Sequence, residues 1–323
     1  MTYNLLYCFD DNYNFQAFSS IISILDNSYS KFNIYIIHKN ETSQDFIPEV
    51  IKNHNNLNDI KVFKFNLHSK FPDIENTHVS EATYYRIFFD SFIDESVEYL
   101  TYIDADIICN KDPSVFIDKA ISEIDSSTFL LAAKTERIKE ESNDYIFNRI
   151  EMKSDKYFNA GVMVINAERW RAKMVGKKLI NRLNNINFKL NFWDQDLFNI
   201  FFDGEYIEID KACNWNIVLE YTYSEKEETK LFDNTVFFHF YGKTKPWVSR
   251  GLYSKYSYLY QNNFRKISHN YYHISHNYFP NSLLQLFKAL FNLNFFKYIE
   301  KKRLFLSIFL KNYLNKKNLN NET

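Results

Sequence analysis

The sequence predicts an α/β domain built on a mostly parallel central sheet. Short, nearly continuous apolar stretches of strand length alternate with stretches of helical periodicity over the first hundred residues. Such uninterrupted apolar strands are typical of sheets that are covered on both faces. Polar clusters directly follow two of these strands, at Asp10–Asn12 and Asp104–Asp106. Since open α/β sheets bind ligands beyond the carboxyl ends of their strands, we expect the functional site at that edge.

The predicted elements follow one another in a regular order. The strands, recognised by short apolar runs rich in β-branched and aromatic residues, are 3–9, 32–38, 60–65, 97–103, 128–133, 157–166 and the first part of 234–247. The helices, recognised by apolar periodicity and start signals, are 13–28, the polar segment 43–54, 80–93 with Ser80 as its cap, a long amphipathic helix over 167–185, and 193–202. We find no internal repeat and no low-complexity linker before about residue 280.

The chain is predicted to have three parts: the α/β domain (residues 1–250), a connecting segment (251–279) and a basic, amphipathic helical tail (280–323). Between Lys288 and Lys317 the tail carries eight basic residues and one acid, Glu300, among many large apolar residues. Helices of this kind lie in bilayer interfaces and are attracted to anionic lipids. The sequence therefore predicts attachment to an anionic membrane surface. The alternative is a helical subdomain that packs on the first domain and exposes a solvated lysine face.

Composition excludes several classes of protein. The formal net charge of −1 gives no global field for nucleic acid, so no nucleic-acid partner is expected. The three cysteines, Cys8, Cys109 and Cys213, lie far apart, with neither CxxC spacing nor an even count, so we expect neither a zinc cluster nor a disulfide framework, and a reducing cytoplasm is favoured. No secretory signal is predicted at the N-terminus, and no apolar run is long enough for a membrane-spanning helix.

The stretch Tyr-Ile-Asp-Ala-Asp-Ile at 102–107 raises a chemical question. On an extended segment Asp104 and Asp106 point to the same side, so two carboxylates share a small volume. Such a pair requires a proton or a bound cation. A polar strand end or a helix cap is the simpler explanation for an isolated D-x-D. Since the sequence has neither a GxGxxG nor a P-loop motif, a carboxylate-bound cation is the natural way to hold phosphates.

Six blocks occur in one order: DDNY (10–13), TYYR (83–86), YIDADI (102–107), FNAGVMVIN (158–166), WDQDLFN (193–199) and HFYGKTKPW (239–247). Together they resemble the retaining glycosyltransferases of family 8, of the type that adds α-linked galactose or glucose to bacterial lipooligosaccharide. The resemblance spans about residues 3 to 250. It implies a GT-A type, Rossmann-like nucleotide-binding domain, a UDP-sugar donor and a saccharide acceptor, lipid-linked at the cytoplasmic face of the inner membrane.

The resemblance also implies a metal and diphosphate site. Asp104, Asp106 and His239 would be the metal ligands, and carboxylates with one imidazole suit Mn²⁺ or Mg²⁺. Lys245 would place its charge on the departing diphosphate, and Gly242 would let the backbone approach it. The alternatives are a capping role for Asp104, a buried structural histidine at His239 and a solvated lysine at Lys245.

The remaining implied residues bind the nucleoside and the sugar. Asp10 and Asn12 match the residues on uracil and ribose, although an Asx turn closing the strand is the alternative. The donor sugar would be held by Arg86, Asn159, Asp194 and Gln195, the last two as catalytic residues facing the anomeric carbon, where oxygen atoms stabilise an oxocarbenium-like transition state. A helix-capping pair at 194–195 and a surface ion pair at Arg86 are the alternatives.

Two positions depart from the family pattern. Lys134 stands where members often carry an acid near the sugar or acceptor, and Phe192 stands where a galactosyltransferase relative carries tyrosine. These changes leave open which hexose and which acceptor are used. Two other functions also remain open: a nucleotidyltransferase or sugar-nucleotide hydrolase on a similar frame, and a non-catalytic binding protein.

Overall fold

The fold is described from a computed structural model, which covers residues 1–67, 71, 80–136, 144–219, 221, 223–276 and 280–321. The ends of the predicted connecting segment (277–279) and tail (322–323) lie outside these residues. The strands are β1 Thr2–Phe9, β2 Lys31–His38, β3 Leu57–Lys64, β4 Tyr99–Ile103, β5 Ile107–Cys109, β6 Leu131–Thr135, β7 Phe158–Asn166, β8 Ile207–Glu208, β9 Trp215–Asn216 and β10 Phe237–His239.

The α-helices are α1 Asn14–Asp26, α2 Glu49–Lys52, α3 Ser114–Asp125, α4 Ala167–Ala172, α5 Val175–Asn184, α6 Trp193–Phe202, α7 Glu225–Asn234, α8 Ser249–Leu252, α9 Ser257–Ile267, α10 Asn281–Phe291, α11 Asn294–Tyr298 and α12 Lys302–Asn321. Asp11–Tyr13, Glu81–Ser91 and Lys211–Asn214 are 3₁₀ helices, and Asp144–Arg149 is a π-helical turn.

The central sheet has the strand order β3-β2-β1-β4-β7-β6-β8, and β5, β10 and β9 form a small second sheet. In the large sheet β7 runs antiparallel to both of its neighbours, and the other recorded pairings are parallel. The predicted mostly parallel sheet is therefore confirmed. Because β1 and β4 are parallel neighbours, Asp10 and Asp104 follow them at the same edge.

Alternating residues of β1 enter two cores on opposite faces of the sheet. Tyr7 and Phe9 pack with α1 and α3, whereas Leu6 and Cys8 pack with the 3₁₀ helix at 81–91 and with α4 to α6. This alternation follows from the two-residue period of a strand. Covering both faces explains the nearly continuous apolar sequence of the strand.

Three predicted helices differ in the structure. Segment 43–54 is α-helical only over Glu49–Lys52, after Pro48, because proline disfavours helical backbone before it. Segment 80–93 is capped by Ser80 as predicted, but it winds as a 3₁₀ helix. The long helix over 167–185 is interrupted at Met174, which has a left-handed backbone (φ 51°). The break lets Gly176 approach the Ile87 carbonyl, which an added Cβ would meet at 2.8 Å.

The tail packs against the connecting segment. Leu286 of α10, Phe295 of α11, and Phe305 and Phe309 of α12 are buried with Tyr253 and residues near it in the connecting segment. The tail therefore forms a packed helical subdomain, as in the alternative named above, although this core joins it to the connecting segment. The same helices also leave large apolar side chains exposed, so packing alone does not account for the tail. Within the described residues, no helix is both long and apolar enough to cross a membrane.

Candidate active site

A cleft of about 160 Å³ opens at the edge of the sheet where β1 and β4 end. Most of the predicted site residues line it: Arg86, Asp104, Asp106, Asn159, Asp194, Gln195, His239, Gly242 and Lys245. Phe9 and Tyr13 line the side next to β1. Since the lining comes from segments spread over most of the first 250 residues, the fold has brought six separate sequence blocks to one place.

Asp104, Asp106 and His239 form a cluster that could hold a metal ion, with one ligand atom from each lying within 4.8 Å of the others. His239 Nε2 lies 3.2 Å from Asp106 Oδ1 and 3.9 Å from Asp104 Oδ2. Asp106 Oδ1 is buried and accepts no hydrogen bond from the described residues. A buried oxygen without a donor is costly, and a cation would satisfy it. Two carboxylates and one imidazole suit Mn²⁺ or Mg²⁺.

His239 is oriented by a buried amide. Its Nδ1 lies 3.0 Å from Asn214 Oδ1, and Asn214 in turn donates to Asn159 Oδ1 at 2.8 Å. An amide oxygen accepts a hydrogen bond, so Nδ1 carries the proton and Nε2 offers a lone pair towards the two aspartates. In metal sites, a hydrogen bond to one ring nitrogen commonly fixes the tautomer of a histidine so that the other nitrogen can bind the metal. Asn159, predicted on the sugar, here also supports the candidate metal ligand His239 through Asn214.

Because Gly161 has no side chain, it leaves room for His239 and Asp104. A Cβ at this position would lie 2.5 Å from His239 Cε1 and 2.9 Å from Asp104 Oδ2. Its carbonyl also accepts a hydrogen bond of 2.8 Å from the Asp104 backbone N–H. Any side chain here would displace the candidate metal ligands.

Arg86 is buried and forms ion pairs with two carboxylates of the cleft. It donates to Asp194 at 2.5 Å and to Asp104 at 3.2 Å, and its guanidinium lies 4.4 Å from the centre of the Tyr102 ring. Thr83 also donates to Asp194. In a 3₁₀ helix residues i and i+3 are eclipsed, which places Thr83 and Arg86 on one line facing Asp194. The predicted sugar contact of Arg86 stays a prediction, because here its partners are protein groups.

Lys245 is also buried, and it donates to Asp106 and to the Phe240 carbonyl at 2.6 Å. Its ammonium group therefore lies beside the Asp104–Asp106–His239 cluster, and its contact with the diphosphate stays a prediction. Gly242 has φ 78°, and an added Cβ would meet no atom within 4 Å. The left-handed backbone accounts for the glycine, and its close approach to the diphosphate stays a prediction.

Gln195 is held by both ends of its amide. Its Oε1 accepts from the Ala160 N–H at 3.1 Å, and its Nε2 donates to the Tyr157 hydroxyl oxygen at 3.2 Å. Tyr157 donates its own proton to Asp196 at 2.7 Å. Asp196 is fully buried and also accepts from Tyr145 at 2.6 Å. This Asp196–Tyr157–Gln195 chain fixes which end of the amide faces which partner.

The buried charges differ in their protonation equilibria. Burial raises the pKa of Asp194, although Arg86 and Thr83 act against it. Burial also opposes ionisation of Asp106, but the adjacent Lys245 ammonium outweighs it and lowers the pKa of Asp106. Burial and Asp196 raise the pKa of Tyr157, which keeps it protonated as a donor. The cleft therefore holds an ionised carboxylate next to two cationic or metal-binding groups.

Asp10 and Asn12 are placed next to the cleft but do not line it. Asp10 is buried and accepts a hydrogen bond of 3.0 Å from the Asn12 N–H, capping the 3₁₀ turn that follows β1. This is the Asx-type role named above as the alternative. Their contact with uracil and ribose stays a prediction.

The two positions that depart from the family pattern have separate partners in the structure. Lys134 is paired with Glu136 at 3.2 Å, and Glu136 also accepts from Asn216 at 2.9 Å, so a carboxylate is present two residues after the substituted position. Phe192 lines the cleft, is 38% exposed, and meets the ring of Tyr145 edge-on.

Sequence reasoning missed several residues that build this site. Thr83, Tyr102, Gly161 and Asp196 lie inside the six blocks, so reading the whole block could have found them. Tyr102 donates to Asp104 at 2.6 Å. Asn214 lies in none of the blocks, and nothing local indicates its contact with His239, which is 25 residues away.

Comparison with known proteins gives a consistent result. The model of Glycosyl transferase family 8 matches residues 4–251. A lipopolysaccharide 1,3-galactosyltransferase of Salmonella typhimurium is 26% identical over 80% of this chain and 77% of its own length, and a lipopolysaccharide 1,2-glucosyltransferase of Escherichia coli is 26% identical over 80% and 76%. The galactosyltransferase LgtC, solved with donor and acceptor sugar analogues, superposes with a TM-score of 0.60 at 18% identity, over 82% of this chain and 96% of LgtC. The fold is of the GT-A type, and the chain belongs to glycosyltransferase family 8.

Proposed function

We propose that this glycosyltransferase is a metal-dependent, retaining hexosyltransferase that moves galactose, or next glucose, from a UDP-sugar to a saccharide of the lipopolysaccharide or lipooligosaccharide core. The observation that carries this proposal is the Asp104–Asp106–His239 cluster beside Lys245 in the cleft. The names of the Salmonella and Escherichia coli relatives support the choice of sugar and acceptor.

The residues of the cleft have different roles in the proposed sugar transfer. Asp104, Asp106 and His239 would hold Mn²⁺ or Mg²⁺, which when bound supplies Lewis-acid stabilisation of the leaving diphosphate. Lys245 adds a positive charge at the same place, and it must exchange its contact with Asp106 for a phosphate oxygen. Gln195, fixed by Ala160 and Tyr157, supports the positive charge that develops at the anomeric carbon.

Retention is best explained by reaction on one face of the sugar. Asp194 is occupied by Arg86 and Thr83, and Asp196 by two tyrosines, so neither carboxylate is a free nucleophile in this structure. We infer that the bond from the anomeric carbon to the diphosphate breaks with both electrons leaving on UDP. The acceptor oxygen then bonds on the same face, and its proton passes to the departing phosphate.

A donor and acceptor screen tests this function. UDP-galactose, UDP-glucose and their N-acetyl forms would be incubated with Mn²⁺ and truncated lipooligosaccharides, with and without acceptor. Transfer with retained configuration is expected, and it should stop in EDTA and return when Mn²⁺ is added. Donor hydrolysis that ignores the acceptor would instead indicate a hydrolase, and full transfer in EDTA would refute the metal assignment.

We also propose that the enzyme works as a peripheral protein at the cytoplasmic face of the inner membrane. Leu284, Phe287 and Phe291 of α10, with Leu293 and Phe296 after it, are between 50% and 93% exposed. Lys288 and Lys297 lie among them. Exposed aromatic and apolar side chains with interspersed cations fit the headgroup region of an anionic bilayer.

Only some of the apolar residues of α10 belong to this surface. Leu286 is buried against the connecting segment, whereas Leu284 is 50% exposed. Removing the tail would uncover Tyr253, Tyr272 and Ile274, so truncation is a poor test of attachment. Point substitutions at the exposed positions are the appropriate variants.

A further inference from the structure

The loop that follows β2 is held by a buried histidine. His38, the last residue of β2, has no exposed surface. Its Nδ1 accepts hydrogen bonds from the backbone N–H groups of Asn40 at 3.0 Å and Glu41 at 2.9 Å. Because a nitrogen that accepts carries no proton, the proton of the neutral ring is on Nε2, which donates to Asn14 Oδ1 at 3.0 Å. One neutral imidazole therefore folds the loop back on its own strand and ties it to α1.

This loop is bonded to both sides of one end of the cleft. Towards β1, the Lys39 backbone N–H donates to the Phe9 carbonyl at 3.3 Å. Towards the 3₁₀ helix that covers the other face of the sheet, the Lys39 ammonium lies 3.0 Å from Glu81 Oε1. Phe9 lines the cleft, and so do Ser80 and Ala82 on either side of Glu81. The loop thus connects two segments that form walls of the cleft.

The residues predicted to bind the nucleoside lie at the same end. Asp10 and Asn12 belong to the turn that follows β1. The Asn40 side chain donates to the carboxylate of Asp11, which lies between them in the sequence. A rearrangement of the loop would therefore reach this turn as well as the two walls.

Protonation of His38 is incompatible with this arrangement. A proton on Nδ1 would replace the acceptor by a donor that faces two backbone N–H groups, and buried donors without an acceptor cost free energy. In the described part of the chain, the charged groups that face the ring are Asp10, Asp11 and Glu41, and all three favour the charged form. Burial outweighs them and lowers the pKa of His38. The folded loop therefore selects the neutral ring.

We propose that neutral His38 is a positioning residue for the nucleoside of the donor, acting through the loop at 39–41, and that its protonation weakens donor binding. The inference rests on the proposed function, because it takes a UDP-sugar as the donor. The effect has a defined sign. The contribution of the loop is complete above about pH 6.5, the ordinary value for histidine, and decreases as the pH falls below it.

Two substitutions of His38 separate the roles of its two ring nitrogens. His38→Asn places an amide oxygen near the position of Nδ1, so it keeps an acceptor for the loop but cannot titrate. His38→Gln places its amide near the position of Nε2 and leaves the two backbone N–H groups without that acceptor. Calorimetry with UDP and Mn²⁺ at pH 7.5 should give an affinity within about threefold of the wild type for His38→Asn and about tenfold weaker for His38→Gln. Equal affinities of the two variants would overturn the proposal.

The pH profile tests the role of protonation. The dissociation constant of UDP would be measured from pH 7.5 to pH 5.0 and divided at each pH by that of His38→Asn, so that titration of UDP and of the other histidines cancels. The wild type should lose about three- to tenfold in affinity relative to the variant. His54→Asn is the matched control and should follow the wild type, because His54 also accepts from a backbone N–H, that of Asn56 at 3.1 Å, but lies outside the lining of the cleft. A constant ratio would refute the role of His38 protonation.

Pyrophosphate separates a local effect from a general one. With Mn²⁺ it requires only the diphosphate site, so the ratio of its dissociation constants for the wild type and His38→Asn should not change with pH. A change as large as that for UDP would mean that the whole site is lost, and nucleoside positioning would be refuted. If UDP fails to bind the wild type at pH 7.5, the proposed donor is wrong and this inference falls with it. If UDP binds with a constant ratio, the inference alone is wrong.

The wild type provides an independent test if the buried substitutions prevent folding. Hydrogen exchange of the Asn40 and Glu41 amides, corrected for intrinsic rates, should accelerate as the pH falls from 7.5 to 5.0, and saturating UDP should slow it again. Unchanged protection of both amides over this range would show that His38 does not release the loop, and would overturn the proposal.

Discussion

The catalytic cleft and the C-terminal helices differ in how their charged and apolar side chains are placed. In the cleft, Arg86 and Lys245 are buried and each is bound to carboxylates. In the tail, Lys288 and other cations are exposed, and so are Phe287 and Phe291. Buried ions require specific partners at short distance, whereas a surface that meets a bilayer requires only the right composition. Single substitutions should therefore have large effects in the cleft and graded effects in the tail.

The largest effect is expected at the candidate metal ligands. Asp106→Asn replaces the carboxylate that faces both His239 and Lys245, and we expect the transfer rate to fall on the order of 10²-fold or more, since stabilising the leaving group is worth several kcal/mol. Asp155→Asn, which changes an exposed acid elsewhere, serves as the control and should leave the rate unchanged. Full activity of Asp106→Asn at limiting Mn²⁺ would remove the cluster from the mechanism.

The next largest effect concerns the tail. Replacing both Phe287 and Phe291 by serine should weaken binding to phosphatidylglycerol vesicles by about 10- to 100-fold, because each phenyl ring loses part of the roughly 1.5–3 kcal/mol of full burial. Turnover of a water-soluble acceptor should not change. Val115→Ser, at a 78% exposed position on α3, is the matched control and should bind vesicles like the wild type. Unaltered vesicle binding by the double variant would make this face irrelevant to membranes.

A smaller effect is expected from the chain behind Gln195. Tyr157→Phe removes the hydroxyl that links Gln195 to Asp196, so kcat should fall by about tenfold while UDP affinity, measured by calorimetry, stays the same. Tyr145→Phe also removes a hydrogen bond to Asp196 but does not touch Gln195, and it should have a clearly smaller effect. Equal losses in the two variants would mean that they act through Asp196 and stability, not through the orientation of the amide.

The same contrast explains what could be predicted from the sequence. The strands and the sheet edge were predictable because β1 and β4 are continuous apolar runs followed by acids. The break at Met174 was not, because one residue in a left-handed conformation does not disturb apolar periodicity. Short blocks predicted most residues of the cleft. They could not predict the support that Asn214 gives to His239, which depends on pairing β9 with β10.

In the tail, the helices could be predicted from the sequence but their buried faces could not. Its composition indicated an amphipathic, basic segment, and helices α10 to α12 confirm the helical part. Which apolar residues turn inward could not be read from the segment alone, because Leu286 and Phe305 are buried by partners such as Tyr253 and Tyr272 in the preceding segment. A face is defined only when both packing surfaces are known.

The smallest effect is a pH dependence of tail packing. His276 is buried and donates from Nε2 to the Phe309 carbonyl at 3.1 Å, which ties the connecting segment to α12. Burial lowers the pKa of His276, against a small opposing effect of that carbonyl. The folded state thus keeps this histidine neutral, whereas the unfolded chain takes up the proton near pH 6.5. Its contribution is fully present above that pH and is lost as the pH falls below it.

Stability to urea should therefore decrease between pH 7 and pH 5, by no more than about 1.4 kcal/mol per pH unit for this one group. His273, whose pKa burial lowers to about 3, contributes with the same sign, so the wild type alone cannot isolate His276. His276→Gln keeps an amide N–H for the Phe309 carbonyl and cannot titrate, and its stability should fall less steeply over this range. Hydrogen exchange of the α12 amides, corrected for intrinsic rates, locates the change. Identical pH slopes in the two proteins would show that His276 does not couple protonation to the docking of the tail.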